Sequence, residues 1–278
     1  MDYGLRTRDH GLRTTDYRGG TTDQERLEKY IAGLGRAVVA FSGGVDSGLL
    51  AYLARRQLGK TNTIALTGDS ASVPSGDRLF VVDFCREHDI PHQFIATHEQ
   101  ENPDYLANPD NRCFFCKEEL YRRLRDYAAQ NNFDHILDGT NATDLKGHRP
   151  GYAALTRAKI RAPYVVLGMG KEKIRLLAEH FDLAIAAKPQ SACLASRIPT
   201  GTPVDLDALK RIDEAEKKLR ALGFANPRVR FHGNLARLQL AQKEWGGCLR
   251  KQNLIQEALR PLGFDFITLD LKAYDREG

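Results

Sequence analysis

The stretch AVVAFSGGVDSGLLAYLARR, from Ala37 to Arg56, constrains this chain more than any other. Strand-type apolar residues run into a glycine turn, and the helix-like segment that follows opens with carboxylate and hydroxyl side chains. Strand-like runs then recur as TIALT (63–67), HQFIAT (92–97) and HILDG (135–139), with helical stretches between them around 47–58, 77–89 and 114–130. Strands and helices alternating in this way predict an α/β fold, a doubly wound parallel sheet covered on both faces. Ligands of such sheets bind beyond the carboxyl ends of the strands, where the glycine turn sits. A helix capped by Thr22 or Asp23, with Leu27, Ile31 and Leu34 on one face, precedes the first strand.

The character changes after PQSACLASRIPTGTP (189–203). A charged helix around 205–222 leads to RVRFHGNLARLQL (228–240), read as a hairpin turning at HGN. A helix around 249–260 and a strand within FDFITLDL (264–271) follow. This is a small α+β domain over 203–278, with its boundary near Thr202, after a larger domain over 22–202. The 278 residues can fill one large and one small core. Residues 1–21, with the near-duplication GLRTRD and GLRTTD, are polar and read as a disordered tail.

No apolar run approaches the roughly 20 residues that cross a bilayer, and no signal peptide pattern opens the sequence. The expectation is a cytoplasmic protein with no membrane partner. The net charge of +5 suits an anionic small molecule and is poor support for a nucleic-acid partner, because acidic and basic residues alternate.

Within the turn, Ser42, Gly43 and Gly44 leave backbone N–H groups free to converge on an anion, and glycine permits close approach and positive φ. The following helix N-terminus adds positive potential. Ser42 and Ser47 hydroxyls can donate to phosphate oxygens. A carboxylate at Asp46 would repel phosphate unless a cation intervenes, which implies Mg²⁺. There is no lysine of the G-x-x-x-x-G-K-[ST] loop and no G-x-G-x-x-G. The stretch instead matches the SGGxDS signature of the PP-loop ATP pyrophosphatases, so ATP is the expected ligand.

Five cysteines are present. In a reducing compartment they are unlike disulfides, and an odd count with one C-x-x-C favours metal or redox chemistry. NPDNRCFFCKEEL sets Cys113 and Cys116 just before a helix, and Cys193 lies further on in SACLASR. A redox pair, half of a metal site and two inert buried thiols are all open readings. Three thiolates would also leave one iron of a cubane cluster open for an extra sulfide. Cys85 and Cys248 read as core residues.

CLASR places Ser196 and Arg197 after Cys193, and PRVRF puts Arg228 and Arg230 on one face of a strand. These four could clamp a phosphate. The alternative is scattered surface arginines paired with Glu214 or Glu216.

From about residue 24 to 274 the chain resembles the LarE family of ATP-dependent sulfur transferases. The resemblance is carried by AFSGGVDS, NRCFFCK, LDGTNATDLKGHRPG, KPQSACLASRIPTGTP, LGFANPRVRFHGNLARLQL and ITLDL. It implies adenylation of the carboxylates of pyridinium-3,5-biscarboxylic acid mononucleotide and their conversion to thiocarboxylates. Cys193 falls on the family's sulfur-bearing segment. With Cys113 and Cys116 present, the chain looks like the branch in which three cysteines hold a [4Fe–4S] cluster whose bound sulfide is the donor. Members lacking the C-x-x-C sacrifice the sulfur of their own cysteine instead. Ser196, Arg197, Arg228 and Arg230 match positions that hold the substrate phosphate, and family members assemble as hexamers. Position 239 departs from the pattern, being Gln where a glutamate is expected.

Two rival functions are open to such a sequence. A PP-loop tRNA thiolase would show an RNA-binding module or a dense basic stripe with exposed aromatics, and neither is prominent. A nucleotide-sensing module without chemistry would leave the three cysteines without a role.

Overall fold

The computed structural model describes residues 21–146, 150–189 and 191–274. The tail reading over 1–21 therefore falls, apart from Thr21, outside the described residues, as do 147–149 of the LDGTNATDLKGHRPG segment. Helix α1 (Asp23–Ala32) starts at a reciprocal cap: Glu25 N–H donates to Thr22 Oγ1 at 3.2 Å, and Thr22 N–H donates to Glu25 Oε2 at 2.7 Å.

Strand β1 (Ala37–Ala40) is buried on both faces. Side chains of a strand alternate in direction, and here the alternation sorts two cores. Ala37 and Val39, followed by Phe41, join α1, α2 (Val45–Leu58), α3 (Ser75–Glu87) and the helix Lys171–His180. Val38 and Ala40 join Tyr121, Leu124 and Ala128 of the helix Arg112–Gln130, with Ala154 and Leu155.

Strands β2 (Thr63–Asp69), β3 (His92–Ala96) and β4 (His135–Asp138) complete a parallel sheet in the order β3-β2-β1-β4. Ala37 lies opposite Thr63 on one side and His135 on the other. The chain leaves β1 toward β2 and later returns to β1's other side as β4. The strand order thus reverses between β1 and β4, and a crevice forms at that point.

A second sheet holds β5 (Arg228–His232), β6 (Leu235–Gln239) and β7 (Phe266–Leu269), with β5 and β6 antiparallel and β6 and β7 parallel. The helix Leu206–Ala221 links the two cores. Its Ala208, Leu209 and Ile212 pack with Tyr105, Leu194 and Ile198, and its Ala215 and Leu219 pack with Val229 and Leu238. An apolar cluster therefore runs across residue 202, and Cys116 and Cys193 pack against it. Among the described residues no helix is long and apolar enough to cross a membrane.

Candidate active site

The glycine turn adopts the conformation its composition requires. Gly43 has φ +75°, and a Cβ there would meet Val81 Cγ2 at 2.9 Å. Ser42 N–H donates to Ser47 Oγ at 3.2 Å, the two Oγ atoms are 3.1 Å apart, and Ser47 Oγ donates to Gly44 O at 3.1 Å. Gly44 caps α2 without a side-chain hydrogen bond, so the first N–H groups of that helix remain available to an anion.

Asp46 is held by Lys171 Nζ at 2.5 Å and Asn141 Nδ2 at 3.3 Å. Burial raises its pKa, with Lys171 acting in the opposite direction and the Asp144 carboxylate adding to the rise. Lys171 thus supplies a positive charge beside the carboxylate that the sequence assigned to Mg²⁺ alone.

At the end of β4, Asp138 accepts from Lys117 Nζ and Tyr121 OH at 2.9 Å each, and from Thr140 N–H and Oγ1 at 2.8 and 2.5 Å. Burial acts to raise its pKa, but Lys117 and the Thr140 donors outweigh it and hold the carboxyl below its ordinary value. Gly139 follows because the backbone of α2 passes close by: a Cβ would lie 2.8 Å from Ser47 N and 3.0 Å from Asp46 C. Neither contact is with a side chain that can turn away. Gly139→Ala is therefore expected to push the turn off its geometry, costing about 1–3 kcal/mol of stability. It should also weaken ATP binding roughly tenfold or more, a loss of about 1.4 kcal/mol. Titration calorimetry with ATP checks this, and unchanged affinity would show that the turn tolerates the shift.

Lys188 draws the segment carrying Cys193 over the turn. Its Nζ donates to Gly43 O at 2.8 Å, pairs with Asp77 Oδ1 at 2.9 Å and lies 4.1 Å from the centre of the Phe80 ring. Ser191 Oγ donates to Asp77 Oδ2 at 2.5 Å, and Leu194 N–H donates to Ser72 O at 2.7 Å. One cavity of about 440 Å³ results, lined among others by Ser42, Asp46, Ser47, Asp138, Cys116 and Cys193.

Cys113 and Cys116 stand in the first turns of the helix Arg112–Gln130 rather than before it. Cys116 faces the cavity, whereas Cys113, three residues earlier, is exposed. Burial pushes the Cys116 thiol well up, and the neighbouring Glu99 and Cys193 push it further. Arg112 Nη2 lies 3.7 Å from Cys193 Sγ, its Nη1 donates to Ala195 O at 2.9 Å, and the side chain is also bound to Asn108. Among the described residues, no three His, Cys, Asp or Glu side chains are grouped to hold a single metal ion. Cys85 and Cys248 are buried in the two cores, and burial pushes the Cys85 thiol up to about 12.

Arg197, Arg228 and Arg230 gather behind Cys193, outside the lining of this cavity. Arg197 is 1% exposed. Its Nε and Nη2 donate to Glu216 at 2.9 and 3.1 Å, and its Nη1 reaches Ala192 O, Cys193 O and Ser196 Oγ at 2.6, 2.8 and 3.1 Å. Each of its three nitrogens thus donates to protein atoms. Arg228 is buried, with Nη1 3.7 Å from Glu216 Oε2. Arg230 donates to Ser196 O and to Gln239 Oε1, both at 2.6 Å. Gln239 Nε2 in turn donates to Asp270 Oδ2 at 2.8 Å. An amide at 239 accepts from one charged partner and donates to the other, which a carboxylate could not do.

Lys171, Lys188, Arg112 and Glu99 are additions to the site expected from sequence. Lys188 stands inside KPQSACLASR and Arg112 inside NRCFFCK, so both were within reach of a motif reading.

The NAD synthase family matches residues 22–143, the part that builds the first sheet and its turn. The pyridinium-3,5-bisthiocarboxylic acid mononucleotide synthase of Lactiplantibacillus plantarum is 33% identical over 248 residues, spanning 87% of each chain. The chain belongs to the LarE family. An uncharacterized protein of Synechocystis sp. is 35% identical over 90% of this chain and 94% of its own. The glutamine-hydrolyzing GMP synthase of Thermotoga maritima is 26% identical over 53% of this chain and 29% of its own. The chain is an ATP-dependent sulfurtransferase with a PP-loop domain.

Proposed function

We propose that the protein adenylates the carboxylates of pyridinium-3,5-biscarboxylic acid mononucleotide and converts them to thiocarboxylates. The observation that carries this reading is the shared cavity, whose lining includes Ser42, Asp46 and Ser47 of the PP-loop turn together with Cys116 and Cys193. ATP chemistry and sulfur chemistry thus face one space.

A carboxylate is a poor electrophile, because attack adds charge to a group already anionic. In the first step a substrate carboxylate oxygen attacks the α-phosphorus of ATP; the bond from that phosphorus to the β-bridging oxygen breaks and pyrophosphate leaves. The turn's N–H groups, Ser42, Ser47 and Lys171 are disposed to stabilise the departing charge. Asp46, with the Asp144 carboxylate near it, would hold a Mg²⁺ ion, which would supply positive charge against the departing pyrophosphate. In the second step a sulfur nucleophile attacks the acyl carbon, the carbon–oxygen bond to AMP breaks, and the thiocarboxylate remains.

Cys113, Cys116 and Cys193 are the proposed ligands of a [4Fe–4S] cluster, which would present an exchangeable sulfide at its open iron. A cubane takes each cysteine on a different iron, so the thiols need not converge on one point. The Arg112 guanidinium lies 3.7 Å from Cys193 Sγ, where its positive charge would offset that of an anionic cluster. Cys193 as its own sulfur source is the alternative donor. Its Sγ would form a thioester as AMP leaves, and loss of the Cα proton with cleavage of the Cβ–Sγ bond would free the thiocarboxylate and leave dehydroalanine. Ser196, Arg228 and Arg230 are proposed to receive the mononucleotide phosphate, with Arg197 holding the Cys193 segment behind them. Cytoplasmic placement and assembly as a hexamer belong to the same reading.

Pyrophosphate release that requires both ATP and the mononucleotide, with an oxygen-to-sulfur mass change in the product, tests the activity. Anaerobically reconstituted protein should contain iron and acid-labile sulfide, and Cys113→Ala should lose the iron. Iron retained at the wild-type level would refute the cluster, and binding of tRNA in a filter assay would favour a tRNA thiolase instead.

A further inference from the structure

Three buried or half-buried carboxylates of the cavity have donors from the protein. Asp46 has Lys171, Asp77 has Lys188 and Ser191, and Asp138 has Lys117, Tyr121 and Thr140. Glu99, just beyond β3, is different. It is 3% exposed and lines the cavity, yet among the described residues its Oε2 has no hydrogen-bond partner. Among the described residues its Oε1 has only Ser72 Oγ at 3.5 Å, and no Lys, Arg or His forms an ion pair with it. Near it stand the Ser72 hydroxyl, the Tyr105 hydroxyl and the Cys116 thiol, and none of them gives Oε2 a hydrogen bond. A buried acceptor left without a donor is costly and needs a reason. Its place on the cavity wall suggests that the donor arrives with the ligand.

Chemistry narrows what that donor can be. Phosphates are anionic acceptors and would be repelled. A pyridinium nitrogen that carries the ribose has no N–H to give. An adenine edge sets its amino donor beside a ring acceptor, which an ionised carboxylate matches poorly. A ribose diol offers two adjacent O–H donors, and a carboxylate is a recurring partner for it in nucleotide sites. Position agrees. β3 is two strands from β1, so at about 4.8 Å per strand Glu99 stands on the order of 10 Å along the sheet from the PP-loop turn. That separation suits the nucleoside of a ligand whose phosphates lie at the turn.

We propose that Glu99 receives the ribose hydroxyls of a bound ribonucleotide and makes the cavity select ribo- over 2′-deoxyribonucleotides. Two ligands carry that diol, ATP and the mononucleotide, and only the second rests on the functional reading above.

The test is calorimetric binding of ATP against 2′-deoxyATP, and of pyridinium-3-carboxylic acid mononucleotide against its 2′-deoxy form, to wild type and Glu99→Gln. In wild type, one pair should differ roughly ten- to a hundredfold, the worth of a hydrogen bond to a charged group. Glu99→Gln should bring that ratio close to one by weakening the ribo form alone. The pair that responds identifies the source. A variant that weakens both members of a pair in parallel, or leaves both ratios unchanged, overturns the proposal. Should Glu99→Gln fail to fold, Glu99→Asp, which retracts the carboxylate by one methylene, is read by the same ratios. Selectivity is measured by binding alone, so a wild type that forms no thiocarboxylate would refute the preceding reading without touching this one.

Discussion

Cys193→Ala is expected to abolish thiocarboxylate formation while pyrophosphate release in a single turnover persists. The two halves of the reaction use different segments of chain. The proposed ATP cradle of Ser42, Asp46 and Ser47 is held by its own hydrogen bonds and Lys171. Cys193 enters the cavity from the segment fixed by Lys188, Ser191 and Arg112. Removing one sulfur atom deletes only the Arg112 Nη2 contact to Sγ and leaves the Lys188, Ser191 and Arg112–Ala195 anchors in place, so adenylation should survive. The sulfur step then depends on free hydrosulfide from bulk. Holding two reactants together can contribute roughly 7–11 kcal/mol, so turnover should fall by a factor on the order of 10³ or more. Mass spectrometry of the product and a pyrophosphate assay on the same sample separate the two steps. Product formed at near the wild-type rate would show that sulfur does not pass through Cys193. Loss of pyrophosphate release as well would show that the cysteine segment also shapes the ATP cradle.

Much of this architecture was legible in local pattern. β1 and the glycine turn announce themselves because a parallel strand buried on both faces is continuously apolar, and because only glycine adopts the φ of Gly43 without strain. Thr22 and Glu25 form the reciprocal cap that their spacing allows. What local pattern cannot carry is pairing across long loops. Lys171 reaches Asp46 over 125 residues and opens an ordinary charged helix, KEKIRLLAEH, with nothing to distinguish it from a solvated lysine. Arg197 shows the converse. Its motif suggested a ligand-facing guanidinium, but fold-level packing turned it inward onto Glu216, a residue that its helical pattern offered only as a surface partner. Glu99 carries no motif; burial alone singles it out, and burial is a property of the folded chain.

The inward turn of Arg197 leads to a large effect on stability. Glu216 is 1% exposed and faces Arg197 at 2.9 Å, Arg228 at 3.7 Å and Arg220 at 3.8 Å, and it accepts from Val229 N–H at 3.1 Å. It is the counter-charge for a buried cationic cluster. Glu216→Ala leaves Arg197 and Arg228 in a low-dielectric site without it, a change that costs about 3–5 kcal/mol. For a chain of this size each kcal/mol moves the melting point by about 2–4 °C, so a drop on the order of 10 °C is expected. Replacing both partners should behave differently. Arg197→Met with Glu216→Leu removes the desolvated charges together and should recover a large part of the loss, as buried ion pairs exchanged for packed apolar groups often do. It cannot recover the anchoring of Cys193, because the donors from Arg197 Nη1 to Ala192 O and Cys193 O are gone. Denaturant unfolding should therefore rank the double variant above Glu216→Ala in stability, while sulfur transfer stays depressed in both. A double variant no more stable than the single one would mean that the remaining arginine, Arg228, dominates the cost. Recovered transfer would mean that the Cys193 segment is held well enough by Lys188 and Arg112 without Arg197.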